Sequence, residues 1–138
     1  MNSTKKLPRG IRNNNPLNIR VGNSWQGEVE KPTDMQFEQF KEMRWGCRAA
    51  FKLLKRYIER YGCNTVEKII RRWAPSSEND TERYINVVCN RMGIKRDEII
   101  KFNYQYTMCI LMQAMAYVEN GQIINFDDIL DGYNLAQV

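Results

Sequence analysis

Apolar residues follow two different regimes along the chain. Over residues 1–44 they show no regular period. Asn13-Asn14-Asn15-Pro16 is turn chemistry, because Asn tolerates left-handed backbone angles and Pro16 biases Asn15 toward an extended conformation. Residues 21–32, broken by Gly22, Gly27 and Pro32, hold a short hairpin at most. From Trp45 the period becomes helical: Ala50, Leu54, Tyr57, Ile58 and Tyr61 recur on one side, Arg48, Lys52, Lys55 and Arg56 lie on others, and Gly62 is a stop signal. Asn64 with Glu67 predicts a capped short helix bearing Val66, Ile69, Ile70 and Trp73 and closing near Pro75. Asn79 or Asp80 caps the next helix, with Tyr84, Ile85, Val88, Cys89 and Met92 before Gly93. A further turn is expected after Asp97, around Ile99 and Ile100, and another around Ile129 and Leu130.

The strongest element runs from Tyr104 to Glu119 and ends at Asn120-Gly121. It is almost wholly apolar, the pattern of a central helix in a bundle and not of a surface one. The expected fold is a single mainly α domain over residues 1–138, with a small irregular or β lobe in front and residues 1–8 flexible.

Composition narrows the chemistry. The 138 residues contain no histidine, which removes Ser-His-Asp and Cys-His catalysis and His-ligated zinc. Cys47, Cys63, Cys89 and Cys109 form no CxxC pair and mostly occupy apolar helical positions, so they read as buried thiols. No metal and no cofactor is expected. The N-terminal stretch has basic residues but no apolar core of a signal peptide, and no run approaches the ~20 apolar residues of a membrane span. A protein made in the cytoplasm, without a membrane span, is the expectation.

The net charge of +5 is unevenly placed. Residues 41–72 hold ten Lys or Arg against three Glu, and after Lys101 only acids remain. Such a run serves either as a solvated helix face or as a surface for an anionic polymer. No recognition-helix motif accompanies it, so nucleic acid is not the expected partner.

One ionisable group stands on the apolar helix. Glu119 lies above Met112 and Met115, at i−7 and i−4, and at the negative end of the helix dipole. Apolar neighbours and that dipole both raise a carboxyl pKa, as suits an acid that protonates a glycosidic oxygen. The same position also fits a solvated Glu ahead of a Gly cap.

Residues 111–121, from Leu111-Met112-Gln113-Ala114-Met115 to Glu119-Asn120-Gly121, resemble the catalytic-glutamate helix of bacterial wall glucosaminidases of the flagellar and autolysin type. In that lysozyme-like family an Asn-Asn segment, a Trp-x-Gly stretch, a Phe-rich strand and a helix ending in Tyr come next. Asn14-Asn15-Pro16-Leu17-Asn18-Ile19, Trp25-Gln26-Gly27, Phe37 to Phe40 and Gly46 to Tyr57 follow that order. Trp73-Ala74-Pro75 through Asn79-Asp80-Thr81 and Tyr84 are similar to a later Tyr-Ala-Thr-Asp segment of the family. Here the glutamate helix comes last, as in a circular permutation, which is feasible where chain ends lie close together. The chain also resembles small phage and prophage proteins, often described as virion structural proteins, that open with Arg-Gly-Ile-Arg-Asn-Asn-Asn-Pro; that likeness runs from Arg9 to about Met92 and over Glu119 to Gly121.

The resemblance implies a lysozyme-like fold and cleavage of peptidoglycan glycan strands by a muramidase, glucosaminidase or lytic transglycosylase, with Glu119 as general acid. It places Trp25, Trp73, Thr81 and Tyr84 along a glycan cleft, with Asn15 and Asn18 as hydrogen-bonding partners of N-acetyl groups. Core packing or turn formation explains these residues as well. Glu28 and Asp34 are the candidates for a second carboxylate, and Glu30 lies in the same lobe; a lytic transglycosylase works with one glutamate and the substrate's acetamido group. The alternative is a non-catalytic phage or prophage structural protein that binds glycan or virion proteins. The first reading acts at the cell wall after phage release, and the second in the virion.

Overall fold

The computed structural model describes residues 7–77 and 79–138; most of the segment expected to be flexible lies outside them. Six helices follow in order: α1 (Arg9–Arg12), α2 (Met43–Glu59), α3 (Val66–Trp73), α4 (Thr81–Met92), α5 (Gln105–Asn120) and α6 (Phe126–Leu135). The protein is mainly α, as its periodicity predicts.

Helix α5 is the centre of the core. Met108, Cys109, Leu111, Met112, Met115 and Ala116 have no exposed surface. It packs against α4 and α6, α6 lies along α2, and α3 against α4. The α2–α6 pair approaches closely at Gly132, where a Cβ would collide with Cys47. Phe51, Phe102 and Tyr133 close the same region as an aromatic cluster, and the Tyr133 hydroxyl donates to the Phe102 carbonyl at 2.6 Å.

Local signals fix the helix ends. The Asp80 carboxylate accepts from the Arg83 N–H at 3.1 Å, which settles which of the two candidate residues caps α4. For α3 the cap is Thr65, not Asn64: its hydroxyl accepts from the Lys68 N–H at 3.2 Å, while the Asn64 side chain only meets the Lys68 ammonium at 3.5 Å. Gly121 ends α5 in the left-handed conformation, with φ of 70°.

Three expectations need correction. Residues 9–12 form one helical turn inside the supposedly irregular segment. No helix forms around Ile99 and Ile100; the Ile100 N–H instead donates to the Asn64 carbonyl at 2.9 Å, and this pairing draws the segment out of helical geometry. The tail around Ile129 and Leu130 is a ten-residue helix, capped by Asn125 accepting from the Asp127 N–H at 2.7 Å.

Among the described residues the front lobe has no regular strand. Isolated antiparallel bridges join Arg20 to Phe37 and Glu28 to Phe40. Residues 36–41 run between 19–21 and 27–29 through bonds such as Glu38 N–H to the Ile19 carbonyl and Val29 N–H to the Gln39 carbonyl. All four cysteines are free, and burial pushes the Cys47 and Cys109 thiols up, Cys109 to about 11. No described helix is long and apolar enough to cross a membrane.

Candidate active site

The front lobe meets the end of α5 through asparagines. Asn15 is fully buried. Its side-chain oxygen accepts from the Ile19 N–H at 2.9 Å, and its amide nitrogen donates to the Ile19 and Glu38 carbonyls at 2.9 and 3.0 Å. This clamp shapes the turn through Pro16 and Leu17 and leaves Asn18 left-handed, with φ of 53°. From there the Asn18 amide nitrogen donates to Glu119 Oε1 at 3.0 Å. Next along α5, Asn120 donates to the Pro16 and Ala116 carbonyls at 2.8 and 3.0 Å, which ties the helix end to the same turn.

A glycine makes the junction possible. A Cβ on Gly10 would collide with Asn120 Oδ1 and press on the Asn15 carbonyl and Asn18 Oδ1. The first helical turn of the chain therefore sits directly behind the residues that hold the glutamate.

On the other side, the Tyr84 hydroxyl of α4 donates to Glu119 Oε2 at 2.9 Å. Glu119 is half-buried, and its pKa is raised. Loss of hydration is the main cause; hydrogen bonding from Asn18, Tyr84 and the Trp73 indole opposes it without overcoming it. Burial and the adjoining carboxyl drive the Tyr84 phenol well above its usual range, so it remains a donor.

Two cavities meet at Glu119. One, of about 300 Å³, has Asn18, Arg20, Phe37, Trp73 and Asn79 in its wall; the other, of about 210 Å³, has Asn79, Asp80, Arg83 and Tyr84. Glu119 and Asn79 belong to both, so the two form one groove with the carboxyl at its middle.

The structure thus brings Glu119, Asn18, Trp73 and Tyr84 together. Other sequence candidates have different roles. Asn15 is consumed by backbone bonds, and the Thr81 hydroxyl donates to the Ala74 carbonyl at 2.6 Å, fixing the loop between α3 and α4. Trp25 lines neither cavity and packs against the core from the front lobe. Asp34 is held by Arg9 through bonds of 2.7 and 2.8 Å, by Asn13 at 2.9 Å and by the Gln36 and Phe37 N–H groups. These contacts keep its carboxylate far below the usual range, with the Arg9 bond the largest cause. Asp34 borders a larger cavity of about 800 Å³ that shares no residue with the groove, and a carboxylate so saturated is a poor acid or base.

Glu28 accepts from the Trp25 N–H at 3.1 Å and faces Glu38. Glu38, only 7% exposed, is pushed up to about 7 by burial and by the adjoining Glu28 carboxyl. Sequence reasoning did not single out Glu38 or Arg20, and it gave Phe37 and Asn79 places in a Phe-rich stretch and at a helix cap without a part in the groove. A signal for Glu38 does exist: in an extended segment it shares a face with Phe40, which is buried.

No protein-family model matches the chain. It is 45% identical to Protein P5 of Pseudoalteromonas phage PM2 in an alignment of 130 positions that covers 91% of this chain and 79% of that protein. The chain belongs to the family of phage PM2 protein P5. Membership ties it to phage, and any chemistry must be read from the groove.

In this P5-family chain the groove presents the Glu119 carboxyl, whose pKa burial raises, the Asn18 and Asn79 amides, the Trp73 ring and the Arg20 and Arg83 guanidinium groups, while Arg9 and Arg20 cover the Phe37 ring. Asp80, the other described carboxylate in the groove wall, is engaged with the N-terminus of α4.

Proposed function

We propose that the protein cleaves the glycan strands of peptidoglycan, with Glu119 as the general acid, on a circularly permuted lysozyme-like fold. The observation that carries this reading is the Glu119 carboxyl itself: half-buried at the meeting point of two cavities, bonded to Asn18 and Tyr84, with its proton held more tightly than in water. A glycosidic oxygen placed at Glu119 would receive that proton as the C–O bond breaks, while Trp73 packs on a sugar face.

The permutation has support in the same contacts. The Asn120 bond to the Pro16 carbonyl and the Asn18 bond to Glu119 link positions more than 100 residues apart. Through them the end of the glutamate helix meets the Asn-Asn-Pro turn, in keeping with the order that the resemblance to wall hydrolases implies.

Among the bond-cleaving reactions, the groove favours the one that needs a single carboxyl. Asp34 is locked to Arg9, Glu28 is paired with Glu38 outside the groove, and Asp80 caps α4. A lytic transglycosylase needs no second acid: the substrate's acetamido group supports the developing positive charge, the C6 hydroxyl then closes on C1, and its proton returns to the Glu119 carboxylate left by the first step. Incubation with purified peptidoglycan and mass analysis of the released fragments tests this directly. Fragments with 1,6-anhydro ends support transglycosylation, and reducing ends point to hydrolysis. No release from any wall type favours the second reading, a phage structural protein that binds glycan or virion proteins.

A further inference from the structure

A ridge of cations runs along α2, on residues that take no part in the Glu119 groove. Arg48, Lys52, Arg56 and Arg60 recur every fourth residue, with Lys55 beside them. At a rise of ~1.5 Å per residue they form a line about 18 Å long, with a charge every 6 Å or so. Four of the five border a shallow cavity of about 460 Å³ whose one acid is Glu59. Glu59 approaches Lys55 only at 3.9 Å, and Lys52 donates to the Val138 backbone oxygen at 3.0 Å. Among the described residues, Arg48, Arg56 and Arg60 have no carboxylate partner. Burial and the like charges of Arg48 and Lys55 lower the Lys52 pKa, as expected of crowded cations that a bound anion would relieve.

We propose that this ridge binds a thin, flexible phosphodiester chain of polyol or sugar units, of the kind bacterial envelopes carry, and so holds the protein at the envelope. Shape and surroundings favour such a chain over other polyanions. Helix α6, with Asp127, Asp128 and Asp131, lies along α2, and Asp131 shares a surface cavity with Arg44. Asp131 thus borders the Arg44 end of α2, and the cations beyond it form a strip one helix wide, which suits a narrow chain better than a flat anionic membrane or a wide duplex. Single-stranded nucleic acid binds by stacking bases on free aromatic faces as well as by charge. At this end of α2, Arg72 already covers Tyr61 at 3.9 Å and Tyr57 at 5.2 Å.

Binding at the ridge is separate from chemistry in the groove and is measured separately. The probe is poly(glycerol phosphate) of defined length, titrated into the full chain at about 50 mM salt, where exposed charges are weakly screened. Single-stranded oligo-dT of equal phosphate number, duplex DNA and phosphatidylglycerol vesicles are the competitors. The expected result is tighter binding to the polyol phosphate than to any competitor, weakening by roughly tenfold or more between about 50 and 200 mM salt. Replacing Lys52, Lys55, Arg56 and Arg60 together with Gln should weaken it by at least tenfold without changing the circular dichroism, and Glu119→Gln should leave it as it is. If the quadruple variant fails to fold, the Arg56→Gln, Arg60→Gln pair should still weaken binding several-fold. Absence of binding by the wild type, equal or tighter binding of DNA or vesicles, or undiminished binding by the folded variants would overturn the proposal.

Discussion

Replacing Tyr84 with Phe isolates a bond that opposes burial in setting the proton affinity of Glu119. The substitution keeps the ring in its buried place and deletes one hydroxyl, the donor to Glu119 Oε2 at 2.9 Å. That bond strengthens as the carboxyl ionises, so it favours the charged form and opposes the upward push of burial. A hydrogen bond to a charged group contributes about 1.5–3 kcal/mol, and 1.36 kcal/mol corresponds to one pKa unit. Partial access of water to Glu119 reduces this, so its titration should move up by about one pH unit. The sign is definite: losing a bond to the charged form raises the pKa further. Two assays read the same shift, carbon NMR of the labelled Glu carboxyls and the alkaline limb of a pH profile for glycan release. Both should move to higher pH in Tyr84→Phe. A limb that stays still or moves down would show that Tyr84 does not act on the proton of Glu119.

Other predictions follow from the packing and from the Glu28–Glu38 carboxyl pair. Gly10→Ala has no room beside Asn120 and Asn18; it should lower glycan release strongly while α5 stays folded, and undiminished release would mean that the Asn18–Glu119 bond is dispensable. Leu111→Ala should lower stability by ~2–5 kcal/mol because the side chain is wholly buried, and an unchanged unfolding midpoint would contradict the central place of α5. Glu38, raised to about 7, binds its proton more tightly folded than unfolded, so its contribution is complete below the unfolded value near 4.5 and is lost as pH rises through 7. Glu119 adds slope in the same direction, so the quantity to measure is wild type minus Glu38→Gln: the variant should lose less stability between about pH 5 and 7, and an identical slope would refute the pairing with Glu28.

How much of this was legible in the sequence depended on the kind of signal. The helices α2 to α5 could be read because their apolar residues repeat at helical spacing and their ends bear Gly93 and Gly121 on the C-terminal side. Helix α6 was underestimated because Asp127, Asp128 and Gly132 are weak helix formers in isolation; close packing of Gly132 on Cys47 offsets that, and packing is invisible in a local pattern. Glu119 stood out as the one acid on an apolar stripe, and the family resemblance supplied Asn18, Trp73 and Tyr84. The same route misplaced Asn15 and Thr81. A short polar side chain in a turn can satisfy its own backbone or reach a ligand, and composition does not distinguish the two. Asp34 failed for a related reason, since its fate depends on Arg9, 25 residues away.

Glu119→Gln is the substitution that bears most directly on the central claim. It keeps the shape of the side chain, removes the transferable proton and lets an amide meet the same groove. Wild type and variant are incubated with the same purified peptidoglycan, fragments are quantified by mass spectrometry, and thermal unfolding is recorded in parallel. The wild type should release fragments and the variant none, with an unfolding midpoint no lower in the variant. Equal release by both proteins would contradict that claim.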